Sequence, residues 1–346
     1  MPDGIPGPRP TLEAVAARAG VSRATVSRVV NGGAGVRGPM ADKVRRAVEE
    51  LGYVPNHAAR TLVTRRTGAV AVVIAEPETR IFSDPFFSRQ IRGISRELTA
   101  RDYQLVLLLM DGPEDAERIA RYLSGGHVDG VLAFSLHTDD PLPEITRRAG
   151  IPAVYGGRPH TPARPPGQPV LFVDADNRGG AQTAVRHLLA LGRTRIAHIS
   201  GPADQTSAVD RLLGYRDVLP AADPDLLERG DFTPESGARA MARLLERGPG
   251  PDAVFAANDL MASGALRVLR ERGIEVPGRI AVVGFDDTVP VAEATVPPLT
   301  TVNQDVEGQG RTMARLLLRA LARGGADGGA PESVVTPTVL VRRASA

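Results

Sequence analysis

The sequence contains no cysteine and no tryptophan, and only 4% of its residues are aromatic. The absence of cysteine excludes disulfides, a thiolate nucleophile and cysteine-ligated metals, and it fits a reducing compartment. Any aromatic wall of a binding site must therefore come from Phe or Tyr. Lys43 is the only lysine, so arginine supplies 41 of the 42 basic residues, which we attribute to genome composition.

Long apolar runs are also missing. No stretch of about 18 apolar residues appears, so no membrane span is expected. The opening "MPDGIPGPRP" has no apolar core of a signal peptide, and residues 1–10 are predicted to be a disordered leader. A cytoplasmic location follows as the expectation.

The motifs of common enzymes are absent as well. There is no HExxH, no GxSxG and no GxxxxGK[ST] phosphate loop. The six histidines are scattered along the chain: His57, His127, His137, His160, His187 and His198. Asp286 and Asp287 are adjacent at a predicted strand end, where neighbouring side chains usually point apart, so acid–base catalysis is not favoured. We predict no catalytic residue, metal or cofactor.

Charge is distributed unevenly along the chain. Residues 1–66 hold 11 basic and 5 acidic residues, a net +6, whereas the remainder holds 31 and 35, a net −4. A basic head on a mildly acidic body suggests a polyanionic partner for the head. An ordinary solvated, arginine-rich surface would give the same balance.

The basic head has the pattern of three short helices. Thr11 can cap a first helix that stops at Gly20, and Ser22 can cap a second through "RATVSRVVN". A third follows in "PMADKVRRAVEELG". The very short link between the first two is typical of a helix-turn-helix, whose second helix enters the major groove of DNA.

From Ala69 onward apolar strand patterns alternate with amphipathic helical stretches. Buried strands are predicted at 69–75, 104–110, 130–136, 151–157, 170–174, 195–200, 253–259 and 280–287. Such alternation indicates an α/β fold with doubly wound parallel sheets, and the strand number favours two lobes. Ligands of such sheets bind beyond the carboxyl ends of the strands.

The head motif "TLEAVAARAGVSRATVSRVVNG", followed by "ELGYVPNHAARTL", resembles the LacI/GalR transcriptional regulators. The resemblance continues in "DNRGGAQTAVRHLLALGRTRIAHISGP", "FAANDLMASGAL", "VVGFDD" and "PPLTTVNQD". It implies an all-α helix-turn-helix headpiece and a two-lobed core like a periplasmic binding protein. The implied domains are a headpiece (11–55), a hinge (56–67) and a core (68–346), with one lobe at about 68–172 plus 303–325 and the other at about 173–302 plus 326–346.

The resemblance assigns DNA contacts to the headpiece. Arg23 and Ala24 match positions that read operator bases, and Arg28 matches one that contacts guanine, as a bidentate arginine can. Phosphate contacts are implied for Ser22, Thr25, Ser27 and Asn31, with Thr11 also counted among the DNA-binding residues. Thr25 and Ser27 could instead only cap or solvate the helix.

The segment "PNHAARTL" resembles the family's hinge helix, which forms on cognate DNA. Leu62 matches the residue that wedges into the minor groove and kinks the duplex. Asn56, Ala59 and Arg60 lie beside it. The alternative is that Leu62 anchors the linker on the core.

The same resemblance places Arg211, Asn258, Asp286 and Gln304 around a sugar effector, with Phe232 stacking on it. Further lining residues are expected in the other lobe: Phe82, Asp84, Phe86 and Arg158. Asp84 could instead be a helix-cap carboxylate, and Arg158 a loop arginine. The "DN" pair at 176 and 177 is interpreted as a helix start.

We therefore predict a homodimeric repressor that binds double-stranded operator DNA and is released by a sugar. "SLHTDDPLP", "GGRP" and "GPADQTSAVDRLLGYRD" are similar to actinobacterial regulators of cellobiose or cello-oligosaccharide use. No leucine-heptad tail follows "TVLVRRASA", so a dimer is expected. The alternatives are a sugar-binding protein without a regulatory role, and a regulator that uses its ligand as corepressor.

Overall fold

A computed structural model describes residues 10–30, 36, 38–54, 66–160, 170–322 and 332–346. The chain divides into two compact units at the boundary between Thr67 and Gly68. Most of the predicted leader, Asn31 of the loop that follows the second helix, and the hinge segment 56–65 lie outside the described residues.

The first unit contains α1 (Leu12–Ala19), α2 (Arg23–Val30) and α3 (Gly38–Leu51). Its core is small: Val15, Ala16, Val26, Val44, Ala47 and Tyr53 are buried together. These residues recur at helical spacing, so each helix turns one apolar stripe inward and leaves the opposite face to solvent. The predicted three-helix headpiece is confirmed.

The first lobe of the second unit is built on a parallel sheet with the strand order β11-β5-β4-β3-β1-β2. Its strands are β1 (Ala69–Ile74), β2 (Gln104–Leu109), β3 (Gly130–Phe134), β4 (Ala153–Gly156), β5 (Leu171–Ala175) and β11 (Val334–Thr336). Alternate residues of β1 face opposite sides of the sheet, and Val72 and Val73 belong to different buried clusters. Both faces are thus covered, which explains the continuous apolar runs.

The second lobe has a sheet of order β12-β10-β9-β8-β6-β7. Its strands are β6 (Ile196–Ser200), β7 (Leu227–Arg229), β8 (Ala253–Ala256), β9 (Ala281–Asp286), β10 (Thr300–Asn303) and β12 (Val339–Val341). β12 is antiparallel to β10, whereas the other pairs are parallel. The predicted doubly wound architecture is confirmed with this one edge exception.

Helices cover both faces of each sheet. In chain order they are α4 (Glu78–Ser83), α5 (Pro85–Thr99), α6 (Pro113–Ser124), α7 (Leu142–Ala149), α8 (Asn177–Ala190), α9 (Thr206–Val218), α10 (Pro234–Glu246), α11 (Asp259–Glu271), α12 (Val289–Ala292) and α13 (Val306–Ala322). Among these helices and those of the headpiece, none combines the length and apolar character needed to cross a membrane.

The lobe boundaries differ from those expected. Residues 326–346 were assigned to the second lobe, but Val334–Thr336 pairs with β5 in the first sheet. Residues 173–175 of β5 also belong to the first lobe rather than the second. The chain crosses between lobes three times, and the short strands at the last crossing can be assigned to a sheet only by their pairing partners.

Candidate functional site

The exposed face of α2 is the candidate DNA-reading surface. Arg23, Ala24 and Arg28 are exposed, while Val26 of the same helix is fully buried. Arg23 lies 3.1 Å from the Glu13 carboxylate of α1. An exposed pair of this kind is weak, so the Arg23 side chain can leave it for a phosphate or a base at little cost.

Hydroxyl side chains cap the first two helices of the headpiece. Thr11 accepts a hydrogen bond from the amide of Ala14 at 3.2 Å and caps α1, and Gly20 ends that helix with φ 67°. Ser22 Oγ accepts from the amide of Thr25 at 3.2 Å and lies 2.9 Å from its hydroxyl. Both predicted caps are confirmed: Thr11 caps the start of α1, and Ser22 caps the start of α2, two residues after Gly20 ends α1.

Five of the DNA-contact predictions fall outside the described residues. They are Asn31 in the loop after α2 and Asn56, Ala59, Arg60 and Leu62 in the hinge.

The second unit contains a cleft between its two lobes. It lies beyond the carboxyl ends of strands in both sheets, where α/β sheets bind ligands. Eight of the nine predicted effector residues line the cleft: Asp84, Phe86, Arg158, Arg211, Phe232, Asn258, Asp286 and Gln304.

Arg211, on α9, is the central cation of the cleft and is only 4% exposed. Its Nε donates to the side-chain oxygen of Asn177 at 2.9 Å, and its guanidinium lies 3.7 Å from the centre of the Phe285 ring. Its Nη1 is 3.4 Å from the Asp286 carboxylate. Packing, stacking and hydrogen bonds thus hold the planar fork in one orientation, as recognition of a polar ligand requires.

Asp286 ends β9 with a backbone φ of 106°, a conformation that residues other than glycine rarely adopt. Gln304 donates to its carboxylate at 2.5 Å. Burial raises the pKa of Asp286 to about 6, although Arg211 acts in the opposite direction. Strain of this kind is typical of functional sites, and here it aims an acceptor into the cleft.

The aromatic side chains of the cleft come from both lobes. Phe232 lies in the second lobe at φ 67°, and Phe86 lies in the first, packed edge-on against Phe87 and Phe134. Asn258 caps α11 through its side-chain oxygen and donates to the Phe232 carbonyl at 3.0 Å. Asn258 therefore holds the strained Phe232 turn as well as lining the cleft.

Three interpretations of single residues need correction or refinement. Phe82 is 76% exposed and does not line the cleft, because α4 turns its ring to solvent. Asp84 both lines the cleft and caps α5 by accepting from the Phe86 amide at 2.9 Å. Of the "DN" pair only Asp176 caps α8, whereas Asn177 lines the cleft and orients Arg211.

Several lining residues were not predicted. They include Arg80, Gln90, Ser135, Asp174, Gln205 and Gln309. Ser135 and Asp174 lie at strand ends, which is a signal that the sequence carries. Gln90 and Gln309 lie inside α5 and α13, and only the packing of those helices brings them to the cleft.

Two family models match the chain in different places. One, described as "Bacterial regulatory proteins, lacI family", matches residues 11–56. The other, described as "Periplasmic binding protein-like domain", matches residues 185–346.

Similar proteins span nearly the whole chain. The "HTH-type transcriptional regulator CelR" of Thermobifida fusca is 52% identical over 314 residues, covering 90% of this chain and 91% of that protein. The "Ribose operon repressor" of Escherichia coli (strain K12) is 36% identical over 319 residues, covering 90% and 93%.

Solved structures show the same similarity. A "transcriptional regulator CelR-cellobiose complex" has 47% identity and a TM-score of 0.75, with 98% of this chain and 100% of that chain covered. A lac repressor dimer bound to operator and the anti-inducer ONPF has 29% identity and a TM-score of 0.82, with 98% and 99% covered.

Proposed function

This chain belongs to the LacI family of bacterial transcriptional regulators, and from that premise we propose that it represses carbohydrate-utilisation genes until cellobiose or a related oligosaccharide occupies its cleft. The repressor acts on chromosomal DNA, so we place it in the cytoplasm, on the nucleoid. The observation that carries the proposal is the cleft, in which a buried arginine, a carboxylate and amides meet aromatic rings.

The DNA-binding role rests on the headpiece. Gly20 ends α1 and Ser22 caps α2 at the turn between them, and the side chains of Arg23 and Arg28 on α2 are exposed. We infer that α2 lies in the major groove, with Arg28 donating to guanine and the hydroxyl side chains on phosphates. As a homodimer, the protein would read two half-sites of a near-palindromic operator.

The charges in the cleft favour a neutral ligand. Each arginine that lines it is paired within the chain: Arg80 lies 2.7 Å from Glu76, Arg158 lies 2.7 Å from Asp210, and Arg211 lies 3.4 Å from Asp286. A phosphorylated sugar would have to compete with these carboxylates for a guanidinium. A neutral sugar needs only the remaining donors and acceptors, together with flat apolar surfaces for its ring faces.

The identity of the sugar is supported by similarity. The relative with 47% identity is a complex with cellobiose, and its fold covers 98% of this chain. Phe86 in the first lobe and Phe232 in the second provide apolar surface in both halves of the cleft, which suits a ligand of more than one ring.

Fluorescence anisotropy of a labelled duplex from upstream of the gene tests the proposal. Purified protein is added, and cellobiose, longer cello-oligosaccharides and other sugars are then titrated. Release by cello-oligosaccharides alone supports repressor and ligand together. Release by another sugar rejects the ligand, and tighter binding would make the effector a corepressor. A lack of specific binding to that DNA rejects autoregulation.

Two phenylalanines offer a matched control for the site. Phe86→Ala should abolish release by sugar while operator binding remains, because Phe86 lines the cleft. Phe82→Ala removes the same ring four residues away, from an exposed position, and should leave release unchanged. Equal responses of the two variants would reject the cleft as the effector site. Incubation with cellobiose, followed by analysis for glucose, tests the competing view that the protein is an enzyme.

A further inference from the structure

A second polar cluster joins the two lobes beside the cleft, centred on Glu76 after β1. The Glu76 side chain is 2% exposed, and its carboxylate accepts from Arg80 at 2.7 and 2.8 Å and from Ser135 at 2.5 Å. These three residues belong to the first lobe. Gln205, from the second lobe, donates to the same carboxylate at 2.9 Å.

His137, after β3, lies between carboxylates of opposite lobes. Its Nε2 is 3.3 Å from Glu76 of the first lobe, and its Nδ1 is 2.7 Å from Asp204 of the second. The hydroxyl of the next residue, Thr138, donates to the Asp204 carbonyl at 3.0 Å. The Nε2 atom of His137 also lies 3.1 Å from the side-chain nitrogen of Gln205, from which the ring accepts a hydrogen bond when Nε2 carries no proton.

We propose that His137, as an imidazolium cation, is an interlobe latch that holds the cleft closed and so sets how tightly the effector is retained. The inference rests on the proposed function of the cleft. Only the cationic ring can donate from both nitrogens at once, to Asp204 from Nδ1 and to Glu76 from Nε2. Since Ser135 and Gln205 also line the cleft, opening the latch would displace part of its wall.

The charges around the ring favour the cation. Glu76 and Asp204 contact it, Asp140 acts on it from the same loop, and Arg80 is already paired with Glu76. The hydrogen bond to Glu76 is the main cause that raises the pKa of His137 to about 9, with burial opposing and Asp204 adding to it.

The raised pKa of His137 makes closure of the cleft depend on pH. With the lobes apart, His137 would return towards the ordinary histidine pKa of about 6.5. The latch is therefore fully present below pH 6.5 and is lost as the pH rises through about 9. Retention of the effector should weaken on the alkaline side.

Calorimetric titration of the full-length protein with cellobiose between pH 6 and 9.5 tests the latch. The wild type should bind more weakly as the pH rises above 7. His137→Gln should bind about tenfold more weakly at pH 7, the effect of one lost charged hydrogen bond, with a flat profile between pH 7 and 9.5. Asp204→Asn keeps the ring and should flatten the profile in part. His127→Gln, which alters a histidine stacked on Tyr122, is the control and should match the wild type.

If His137→Gln bound cellobiose with the affinity and the pH profile of the wild type, the latch would be overturned. If the wild-type protein binds no cellobiose, the proposed ligand fails, and the latch is then judged by NMR titration of the labelled histidines. A His137 pKa near 9 that falls in Asp204→Asn supports the latch without any sugar. An ordinary histidine pKa in the wild type rejects it.

Discussion

At the scale of single residues, Arg28 is the sharpest test of the DNA-reading surface. Its side chain is exposed on α2, on the face opposite buried Val26. Arg28→Ala should relax operator specificity and cost about 1–3 kcal/mol of operator binding, since a bidentate contact to guanine is lost. Anisotropy with wild-type and base-substituted duplexes measures both.

Arg18→Ala is the control for that experiment because it removes the same charge from α1. Arg18 lies on α1, outside the DNA-reading surface of α2, and pairs with Glu50 of α3 at 2.5 Å. Unchanged affinity and specificity in Arg28→Ala would refute the assignment of α2.

Asp286 makes sugar binding sensitive to acid. Its pKa is raised to about 6 by burial, so the carboxylate is ionised at pH 7 and becomes protonated as the pH falls through 6. A protonated carboxyl group accepts fewer hydroxyl groups, so sugar affinity should fall between pH 7 and 5. Calorimetric titration over that range measures it.

The Asp286→Asn variant should bind sugar weakly at every pH, and its affinity should no longer fall between pH 7 and 5. The loss of sugar affinity at acid pH is separate from the loss at alkaline pH that is assigned to His137. One pH profile of sugar affinity therefore distinguishes the two groups. If the sugar affinity of Asp286→Asn still fell between pH 7 and 5, another carboxyl group would be responsible.

At the scale of elements, α10 and α11 pack so closely that glycine is required between them. A Cβ atom on Gly264 would lie 1.9 Å from the Pro234 carbonyl oxygen. Gly264→Ala should lower the free energy of unfolding by about 1–3 kcal/mol or more, because the backbone itself must move. Urea denaturation followed by circular dichroism measures the change.

Gly112→Ala is a matched control for the helix pair. Gly112 has an extended backbone at φ 176°, and a Cβ atom there would meet nothing within 4 Å. Equal midpoints for Gly264→Ala and the wild type would show that the two helices can move apart at no cost.

At the scale of the whole molecule, repression requires that the cleft and the headpiece influence each other. Binding linkage makes that influence reciprocal: the factor by which sugar weakens operator binding equals the factor by which operator weakens sugar binding. Operator affinity with saturating cellobiose and cellobiose affinity with saturating operator duplex should therefore change by the same factor.

Two different factors would show that a third state, such as a separated subunit, enters the cycle. Repeating both titrations at several protein concentrations distinguishes that case, because dissociation of a dimer depends on concentration.

The sequence alone determined the elements and much of the site. Helical spacing and caps at Thr11 and Ser22 defined the headpiece, and continuous apolar runs defined the buried strands, since both signals are local. The strand-end rule indicated Asp286 and Gln304, because residues at the carboxyl ends of parallel strands meet at one edge, whereas Arg211, inside α9, was indicated by the family motif alone.

Tertiary structure decided what depends on contacts between distant segments. Val334–Thr336 joined the first sheet, not the second, because its partner is β5. Phe82 and Phe86 are alike in sequence, yet the turn between α4 and α5 exposes one ring and places the other at the cleft. Glu76, His137 and Asp204 are spread over 129 residues, and their cluster exists only because two lobes bring three chain segments together.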